Sequence, residues 1–302
     1  MKISCVVIIY NSMLQNSDTL KSLTKCKTDG IDLDILVWNN GQELLIEEDI
    51  NNFMMVCQEN KISAKIYQDI TNISLSKIYN FFIDNFSFDI VTLLDQDSKI
   101  PNDFFYKINN SEKSDIYIPK IIVNNNEKDV QYYPHLYDNP NIVIDEGYIS
   151  SPVISAMSGV SMSKIAIDKI IKERGFIFEE RLALYGIDND FFRTIKKMSI
   201  QKLSLYCVNE IHHSLSTLDP KEEKSDFRII ENLYFKYFIR IEYQKKSLFS
   251  TIFICIRDFI FKKTNFSQMK NIILFLIKKH HPRSIKNISR DKKPSHYTKK
   301  IS

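Results

Sequence analysis

Four apolar runs in the first third of the chain have the length and the β-branched residues of buried strands: Ile3–Tyr10, Asp34–Trp38, Ala64–Tyr67 and Ile90–Leu94. The segments between them are polar or carry apolar residues at helical spacing, most clearly from Asn72 to Phe86. Strands that alternate with helices predict βαβ units and a mostly parallel sheet with helices on both faces. The pattern therefore indicates an α/β protein with a Rossmann-like sheet.

The middle of the chain is predicted to hold shorter and less regular elements. Two short strands, Asp115–Pro119 and Lys120–Val123, are expected around a kink. A helix is predicted from about Lys164 to Glu173, and a second helix is expected to start near Asp188. Gln201–Val208 is the last predicted strand.

The end of the chain has a different pattern, with large apolar residues on one side of a predicted helix and cations around it. Apolar residues recur at helical spacing between Leu248 and Ile260, and the pattern repeats before Lys278 and Lys279. Such a helix can lie in a membrane interface, and the alternative is a helix packed on the α/β domain. We therefore divide the chain into an α/β domain, residues 1–218, and a basic helical extension, residues 219–302, that is a candidate for contact with the inner-membrane surface.

Charge is distributed unevenly along the chain. Residues 262–302 contain twelve lysines and arginines and one acid, Asp291, a local net charge of +11, while the whole chain carries +4, so residues 1–261 carry about −7. A basic tail on an acidic body favours a polyanionic surface as partner. The tail has few aromatic residues for base stacking, so we expect no nucleic-acid partner.

Cysteine usage and hydropathy bear on the compartment. The five cysteines form no close pair, which argues against a disulfide framework or a Cys-x-x-Cys metal site and favours a reducing cytosol. No secretory signal is evident, and no run of about 18 uncharged apolar residues predicts a membrane span. We expect a cytoplasmic protein, peripheral on the cytoplasmic face of the membrane if its helical extension binds lipid.

Polar side chains follow three of the predicted strands, at the point where each strand ends. They are Tyr10-Asn11, Asn39-Asn40 and the run Asp95-Gln96-Asp97-Ser98. Carboxyl ends of parallel strands meet at one edge of a sheet, where ligands bind. Two carboxylates two positions apart can hold a hard divalent cation such as Mg²⁺ or Mn²⁺, and the alternative is a solvated Asp-rich turn.

An ordered set of short motifs spans residues 3–218 and resembles family 2 glycosyltransferases of the GT-A fold, most closely the bacterial rhamnosyltransferase-like members. The set comprises Tyr10-Asn11, Asn39-Asn40-Gly41, Asn72 with Ser76 and Asn80, Asp95–Ser98, Ser155–Gly159, Asp188-Asn189-Asp190 and His213-Ser214-Leu215. The resemblance implies transfer of a sugar from a nucleotide-diphosphate donor, dTDP-rhamnose or a UDP-hexose, to a saccharide acceptor. The implied setting is bacterial surface polysaccharide synthesis, O-antigen or capsule, with a lipid-linked acceptor.

The resemblance also implies roles for individual residues. Asp97 is expected to bind the metal, Asp95 the metal or the ribose, and His213 is expected to complete the metal shell. Asp188 is the first candidate for the base that takes the acceptor proton and gives inversion, and Asp190 is the second. The residues expected to bind the nucleotide sugar are Tyr10, Asn11, Asn39, Asn40, Asn72, Ser76, Asp95 and Gln96.

Two positions depart from the family pattern. Trp38 stands where the family usually has an acid that helps to hold the nucleotide base, and Ile187 stands before Asp188 where the family usually has Glu. These departures motivate an alternative hypothesis, a non-catalytic component of a polysaccharide assembly complex that binds nucleotide sugar or membrane.

Overall fold

The computed structural model describes residues 1–125, 128–198, 202–213, 225–285 and 288, and they form a mixed α/β structure. The strands are β1 Lys2–Ile9, β2 Asp32–Asn39, β3 Ser63–Gln68, β4 Ile90–Asp95, β5 Ser98–Lys99, β6 Ile116–Asn125, β7 Lys128–Tyr133, β8 His135–Leu136, β9 Asn139–Val143, β10 Gly147–Tyr148, β11 Val153–Ile154, β12 Ser161–Ser163 and β13 Leu205–His213. The α-helices are α1 Asp18–Leu23, α2 Glu47–Glu59, α3 Leu75–Asn85, α4 Phe104–Asn110, α5 Lys164–Arg174, α6 Ile187–Met198, α7 Asp226–Phe238, α8 Leu248–Ile260 and α9 Phe266–Lys278. Short 3₁₀ turns cover Leu14–Asn16 and Pro282–Ser284, and a π-helical turn covers Ile239–Tyr243.

The central sheet of the described residues has the strand order β10-β13-β6-β12-β4-β1-β2-β3. Strands β4, β1, β2 and β3 are parallel to one another, β6 is parallel to β13, and the short strand β12 runs antiparallel between the two groups. Ile9 pairs with Asn39, and Ile8 pairs with Asp95. The carboxyl ends of β1, β2 and β4 therefore lie side by side, as the sequence predicted.

Helices cover both faces of the sheet, because residues of the central strands alternate between two apolar cores. In β1, Val6 and Ile8 face a core that also contains residues of α3, α5 and α6. Cys5 and Val7 face the opposite core, which contains residues of α1, α2 and α4. This burial on both faces explains why the strands are almost continuously apolar.

Predicted element boundaries differ from the structure at two instructive places. The region around Pro119 is one strand, β6, instead of two strands around a kink. Its partner β13 has a bulge between Cys207 and Glu210, and Asn209 in this bulge has a φ of 55°. Proline has no backbone N–H to donate, and a bulge in the partner accommodates that loss. The last strand is also shifted, since β13 ends at His213.

The helical extension packs on the α/β domain through α7 and α9. Tyr237 and Phe238 of α7 are buried, and so is Phe275 of α9, all in the core beneath α3, α5 and α6. The predicted division at residue 218 falls outside the described residues and stays a prediction. Within the described part of the chain, no helix is both long enough and apolar enough to span a bilayer.

Candidate active site

The run Asp95–Ser98 forms a tight turn between β4 and β5, and the first turn of α1 holds it. The backbone N–H of Thr19 donates to the Gln96 carbonyl at 3.2 Å. The Thr19 hydroxyl donates to the Ser98 carbonyl at 3.0 Å and accepts from the Ser98 N–H at 2.8 Å. With its backbone fixed in this way, the turn directs its side chains toward the edge of the sheet.

His213 ends β13 and lies between the two carboxylates of the turn. Its Nε2 is 3.6 Å from Oδ2 of Asp95, and its Nδ1 is 3.2 Å from Oδ1 of Asp97. The histidine is buried, whereas 45% of the Asp95 side chain and 38% of the Asp97 side chain are exposed. Ser98 supports the ring, because its hydroxyl lies 3.1 Å from Nδ1 of His213 and 2.7 Å from the hydroxyl of Ser158. Three predicted metal-site residues therefore meet at this edge.

The electrostatics of this group reflect two acids close to one another. Surrounding protein raises the pKa of Asp95 above 3.8, His213 partly offsets this effect, and Asp97 adds to it. Burial lowers the pKa of His213, but its hydrogen bond to Asp97 and the charges of Asp95 and Asp97 outweigh burial, so its net pKa is raised. The site therefore concentrates negative charge, and a cation in it would be favoured.

Asp188 lies in the first turn of α6 and faces the same group of residues. Its pKa is raised from 3.8 to about 7. Burial raises this pKa most and the charge of Asp95 adds to the effect, while backbone N–H groups, including that of Met157, and the charge of His213 partly offset it. Tyr79 is buried near both acids, since Asp95 and Asp188 both raise its pKa, after the larger effect of burial. A carboxyl with a pKa near neutrality in a cleft has the protonation behaviour of a general base.

Asp190 differs from Asp188 because protein groups occupy both of its oxygens. Nη2 of Arg174 lies 2.8 Å from Oδ2, and the hydroxyl of Tyr243 donates to Oδ1 at 2.9 Å. Asp190 is buried and lies two residues after Asp188 in α6. Its geometry is that of a residue that anchors α6 to α5 and to the helical extension.

The predicted nucleotide-binding residues after β1 and β2 form a linked hydrogen-bond group. Oδ1 of Asn11 accepts from the Gln42 N–H at 2.9 Å, and Oδ1 of Asn39 accepts from the Gly41 N–H at 3.0 Å. A Cβ on Gly41 would lie 2.7 Å from the nitrogen of Asn11, so only glycine fits between the two loops. The loops after β1 and β2 are therefore packed directly against each other.

Asn40 connects these loops to the segment before α3. Its Nδ2 donates to Oδ1 of Asn72 at 3.3 Å and to the Ile73 carbonyl at 2.9 Å. Asn72 has a left-handed φ of 51°, which aims its side chain back at Asn40. Tyr10 is half-exposed, and its N–H donates to Oε1 of Gln96 at 2.8 Å, which joins the loop after β1 to the carboxylate turn. The expected donor-side residues thus form one continuous rim.

Ser76 does not reach this rim. It is fully buried in α3, and its hydroxyl donates to the Leu182 carbonyl. The N–H of Leu75 donates to the Ala183 carbonyl at 2.9 Å in the same region. Ser76 therefore holds the loop that leads to Asp188, and its predicted part in donor binding stays a prediction.

Trp38 lies in the core and not at the site. It is buried, stacks on Tyr67 with ring centroids 6.2 Å apart, and makes an edge contact with Phe82 at 5.9 Å. Consecutive strand residues point to opposite faces, so Trp38 faces the core while the end of β2 presents Asn39 and Asn40. Compared with the family pattern, the end of β2 therefore lacks an acid, and the indole of Trp38 does not lie at the strand end in its place.

Sequence reasoning missed the residue that ties the rim to the end of the chain. Nε of Arg283 donates to the Asn72 carbonyl at 2.8 Å, and its Nη2 donates to Oδ1 of Asn72 at 2.6 Å. These residues are 211 positions apart, and no local pattern at Arg283 signals the contact. Tyr243, the partner of Asp190, was missed for the same reason. Ser214 and Leu215, the end of the His213 motif, lie outside the described residues.

The residues present fit a divalent cation through their donor chemistry. No group of three or more His, Cys, Asp or Glu side chains has the arrangement of a complete metal site in the parts of the chain that the structure describes. Magnesium-type sites often use only one or two carboxylates and take further ligands from substrate phosphates and water. Asp95 and Asp97 offer partly exposed carboxylate oxygens at one place, which suits such an incomplete site.

No family model matches the chain, and no curated protein matches it in sequence. Solved structures do match. The chain is similar to residues 1–349 of S. aureus TarS, with a TM-score of 0.50 and 14% identity over 93% of this chain and 81% of that chain. The longer S. aureus TarS structure gives a TM-score of 0.51 and 15% identity over 94% of this chain and 50% of that chain.

A third similar structure is that of GalNAc-T7 with UDP, GalNAc and Mn²⁺, with a TM-score of 0.54 and 12% identity over 82% of this chain and 52% of that chain. The chain thus spans about half the length of the longer TarS chain and of GalNAc-T7. At these identities the likeness shows the fold. The chain has the GT-A fold, with a mostly parallel sheet covered by helices, as expected from the sequence.

Proposed function

We propose that the protein is an inverting glycosyltransferase that moves a sugar from a nucleotide-diphosphate donor to a saccharide acceptor. One observation carries the proposal: Asp95, Asp97 and His213 meet at the carboxyl edge of a GT-A sheet, beside a polar rim formed by the loops after β1 and β2, and Asp188 lies close enough for the charges of Asp95 and His213 to shift its pKa. This is the edge at which open α/β sheets bind ligands. The structure of GalNAc-T7 with UDP, GalNAc and Mn²⁺ supports the class of donor.

The donor half of the site is assigned to the rim and the carboxylate turn. We assign Tyr10, Asn11, Asn39, Asn40 and Asn72 to the nucleoside, with Ser76 and Gln96 holding the loops. Asp97 and Asp95, with His213, would hold Mg²⁺ or Mn²⁺. When bound, this cation neutralises the diphosphate that leaves.

The acceptor half is assigned to Asp188. In the proposed reaction the acceptor hydroxyl oxygen forms a bond to the anomeric carbon while the bond from that carbon to the diphosphate oxygen breaks. Asp188 takes the hydroxyl proton, and attack on the face opposite the diphosphate inverts the anomeric carbon. Asp190, already bonded to Arg174 and Tyr243, is assigned to holding α6.

Finer parts of the proposal rest on the motif resemblance. The motifs resemble those of family 2 glycosyltransferases, most closely the rhamnosyltransferase-like members, and this resemblance favours dTDP-rhamnose or a UDP-hexose as donor. It also favours a lipid-linked saccharide as acceptor, in the synthesis of bacterial O-antigen or capsule. The screen that identifies the nucleotide is thermal shift with UDP-, dTDP- and GDP-sugars, with and without Mn²⁺, because a ligand that binds only the folded state raises the melting temperature.

The decisive experiment pairs Mn²⁺ binding with turnover. Electron paramagnetic resonance measures the concentration of free Mn²⁺. In the presence of the nucleotide identified by thermal shift, the loss of free Mn²⁺ should correspond to one bound ion per chain. Asp97→Asn should abolish this binding and the transfer or hydrolysis of the nucleotide sugar. Asp168→Asn is the matched control, since Asp168 is an exposed acid on α5 that pairs with Lys164. Full Mn²⁺ binding and full activity in Asp97→Asn would reject the metal assignment.

The alternative, a non-catalytic nucleotide-sugar binder, predicts binding without turnover across a panel of donors and acceptors. One of its two motives was Trp38, which is buried in the core, so the end of β2 still lacks the acid that the family pattern has there. The replacement of Glu by Ile187 remains, and Ile187 is a buried core residue beside Asp188. Turnover of any nucleotide sugar that depends on Asp188 would exclude the alternative.

A further inference from the structure

Helix α8 buries a face that contains polar residues and exposes a wholly apolar face on the opposite side, while Leu248, Ile252 and Ile254 pack against the core beside the buried face. The buried positions are Thr251, Cys255 and Asp258, which recur at helical spacing. The exposed positions, which recur at the same spacing on the other side, are Phe249, Phe253, Ile256 and Ile260. In a helix that merely covers a core, the large apolar residues would be the buried ones.

Specific contacts fix α8 in this rotation. The buried carboxylate of Asp258 accepts from Nζ of Lys236 at 2.6 Å and from the hydroxyl of Tyr237 at 3.0 Å, both on α7. Burial raises the pKa of Asp258, but these hydrogen bonds outweigh burial, so its net pKa is lowered and it is charged at neutral pH. Turning the helix to hide its apolar side would break this buried ion pair. The apolar face is therefore a built feature of the fold.

The exposed apolar face is large and continues past the end of α8. The side chain of Phe249 is 85% exposed, and Phe253 and Ile260 are each 67% exposed. Phe261 and Phe266 continue the face with similar exposure, and Phe266 is in ring contact with Phe259 at 6.2 Å between centroids. Contiguous apolar patches of this kind on a protein surface mark sites of contact with another protein or with a membrane.

Positive charges flank the face at both ends. Lys245 and Lys246 precede α8, Lys262 and Lys263 follow it, and Arg257 lies on the helix. Lys246, Lys262 and Lys263 form no ion pair with any of the residues that the structure describes. The one acid on the helix, Asp258, is buried and already paired. The surface thus combines an exposed apolar stripe with uncompensated cations.

We propose that this surface, the exposed stripe of α8 with Phe261, Phe266 and the flanking lysines, docks on a bilayer that contains anionic phospholipid. An apolar face bordered by lysines matches the chemistry of the bilayer interface, where acyl chains lie below negatively charged headgroups. A second copy of the chain fits less well. A twofold interface would bring the same lysines of both copies together, with no acid on the helix free to compensate. The proposal does not depend on the transferase assignment, because lipid binding needs neither donor nor acceptor.

Fluorescence of a single labelled position tests where the protein meets the bilayer. All five native cysteines are buried, so an introduced surface cysteine is the preferred site for a polarity-sensitive dye. Phe253→Cys should show a blue shift with vesicles of phosphatidylcholine and phosphatidylglycerol, and a much smaller one with phosphatidylcholine alone. The control is Ile165→Cys on α5, where the native side chain is 64% exposed. A shift at both positions, or at neither, would overturn the proposal.

Co-sedimentation with the same vesicles tests the two components of the surface in the full chain. Phe249→Ser with Phe253→Ser should lower the partition coefficient about tenfold or more. Lys262→Glu with Lys263→Glu should also lower the partition coefficient, and the decrease should be larger at low salt than at high salt. The matched control, Ile165→Ser with Lys172→Glu on α5, should bind like the native chain, and all melting temperatures should agree.

Other occupants of the surface give different results. A native chain that is dimeric in sedimentation velocity, and that becomes monomeric with Phe249→Ser and Phe253→Ser, would assign the face to a second copy. If the native chain is monomeric and does not bind anionic vesicles, the exposed face of α8 would instead be covered by the C-terminal residues of the same chain or by a protein partner. Equal vesicle binding by the native chain and the double phenylalanine variant would show that other surfaces bind lipid. Each of these results overturns the proposal.

Discussion

Asp188 and Asp190 are the same residue type at neighbouring positions of α6, yet their surroundings give them different properties. Asp190 is bonded to Arg174 and to Tyr243, so both of its oxygens have protein partners. Asp188 faces Asp95 and His213, and burial raises its pKa to about 7. We therefore expect the two acids to have different tasks, with Asp188 as the candidate base and Asp190 as the residue that holds α6.

Asp188→Asn should abolish most transfer without unfolding the protein. Loss of a positioned general base costs about 10²- to 10⁴-fold in kcat. The carboxyl of Asp188 has its pKa raised from 3.8 to about 7, so its protonated form is favoured by the folded state. The free energy of unfolding is therefore highest, as far as this group is concerned, below pH 3.8. It falls as pH rises from there through about 7, because the folded state disfavours the charged carboxylate.

The variant should therefore be more stable than the native chain at neutral pH. The gain should grow as pH rises between 3.8 and about 7 and should reach at most about 4 kcal/mol, less in proportion to the partial exposure of the side chain. Urea unfolding in EDTA across this pH range measures the difference. A variant that is destabilised at every pH would contradict the assignment of a strained, partly buried acid.

Asp190→Asn should give the opposite result. Removing the charge leaves Arg174 without its ion-pair partner in a mostly buried setting, which costs on the order of 3 kcal/mol. Some turnover should remain, because the proposed base is intact. Chemical denaturation and steady-state kinetics on the same preparation separate the two effects. A stable Asp190→Asn protein without any turnover would make Asp190 the better candidate for the base.

At the scale of elements, the loop before α6 depends on contact with the helical extension. Gly186 has a φ of 87°, and a Cβ there would lie 2.1 Å from Cδ2 of Phe235 on α7. Gly175 has the same φ of 87° but has nothing within 4 Å of its ideal Cβ. A side chain at Gly175 would therefore meet backbone strain alone, whereas a side chain at Gly186 would meet the same strain and a steric clash with Phe235.

Gly175→Ala should cost about 1 kcal/mol, which is the price of the left-handed backbone alone. Gly186→Ala should cost about 2–4 kcal/mol, because overpacking adds to that strain. Adding Phe235→Leu to Gly186→Ala should recover part of the loss, and it should not affect Gly175→Ala. Equal costs at the two glycines, measured by urea unfolding, would show that Phe235 moves aside freely.

Elements were predictable where the residues that decide them are local. Strands β1 to β4 and helix α5 follow from apolar runs and helical spacing, and the motif resemblance grouped Asp95, Asp97 and His213, which the structure brings together. Pro119 misled the prediction, because the bulge that accommodates it lies in β13, far along the chain. The burial of Trp38 could not be read from its position alone, because its neighbours in the core, Tyr67 and Phe82, lie on other elements.

The orientation of α8 illustrates the same limit. Its apolar periodicity predicted a helix with two distinct sides. Which side packs on the protein is decided by Asp258, whose partners Lys236 and Tyr237 lie on α7. A buried charge in a strong local pairing can override the hydrophobic pattern, and its partner is not visible in the pattern of its own helix.

At the scale of the whole molecule, the end of the described chain contacts the polar rim, because Arg283 donates hydrogen bonds to Asn72. The 3₁₀ turn Pro282–Ser284 lies between α7 and the segment before α3. Nη1 of Arg283 is 3.4 Å from Oε2 of Glu231, and Nε2 of the buried His281 is 3.3 Å from Oε1 of the same residue. The carbonyl of Arg283 also accepts from the Ser74 N–H at 3.3 Å. Glu231, a buried acid of α7, thus holds Arg283 in place, and Arg283 in turn holds Asn72.

Arg283→Met should weaken nucleotide binding through Asn72, which Arg283 positions. The variant loses two hydrogen bonds to Asn72, the residue whose Oδ1 also accepts from Asn40. Charged hydrogen bonds contribute about 1.5–3 kcal/mol each, so we expect nucleotide Kd and donor KM to rise at least about tenfold while kcat changes less. Calorimetry with the nucleotide found by thermal shift measures Kd directly.

Glu231→Gln separates this positioning role from a general loss of stability. It removes the charge that pairs with Arg283 and His281, so its melting temperature should fall, yet the contacts from Arg283 to Asn72 can persist. Nucleotide affinity should therefore stay near the native value in Glu231→Gln and fall in Arg283→Met, even where the two proteins are equally destabilised. If affinity instead follows melting temperature in both variants, the end of the chain acts on the donor rim only by stabilising the fold.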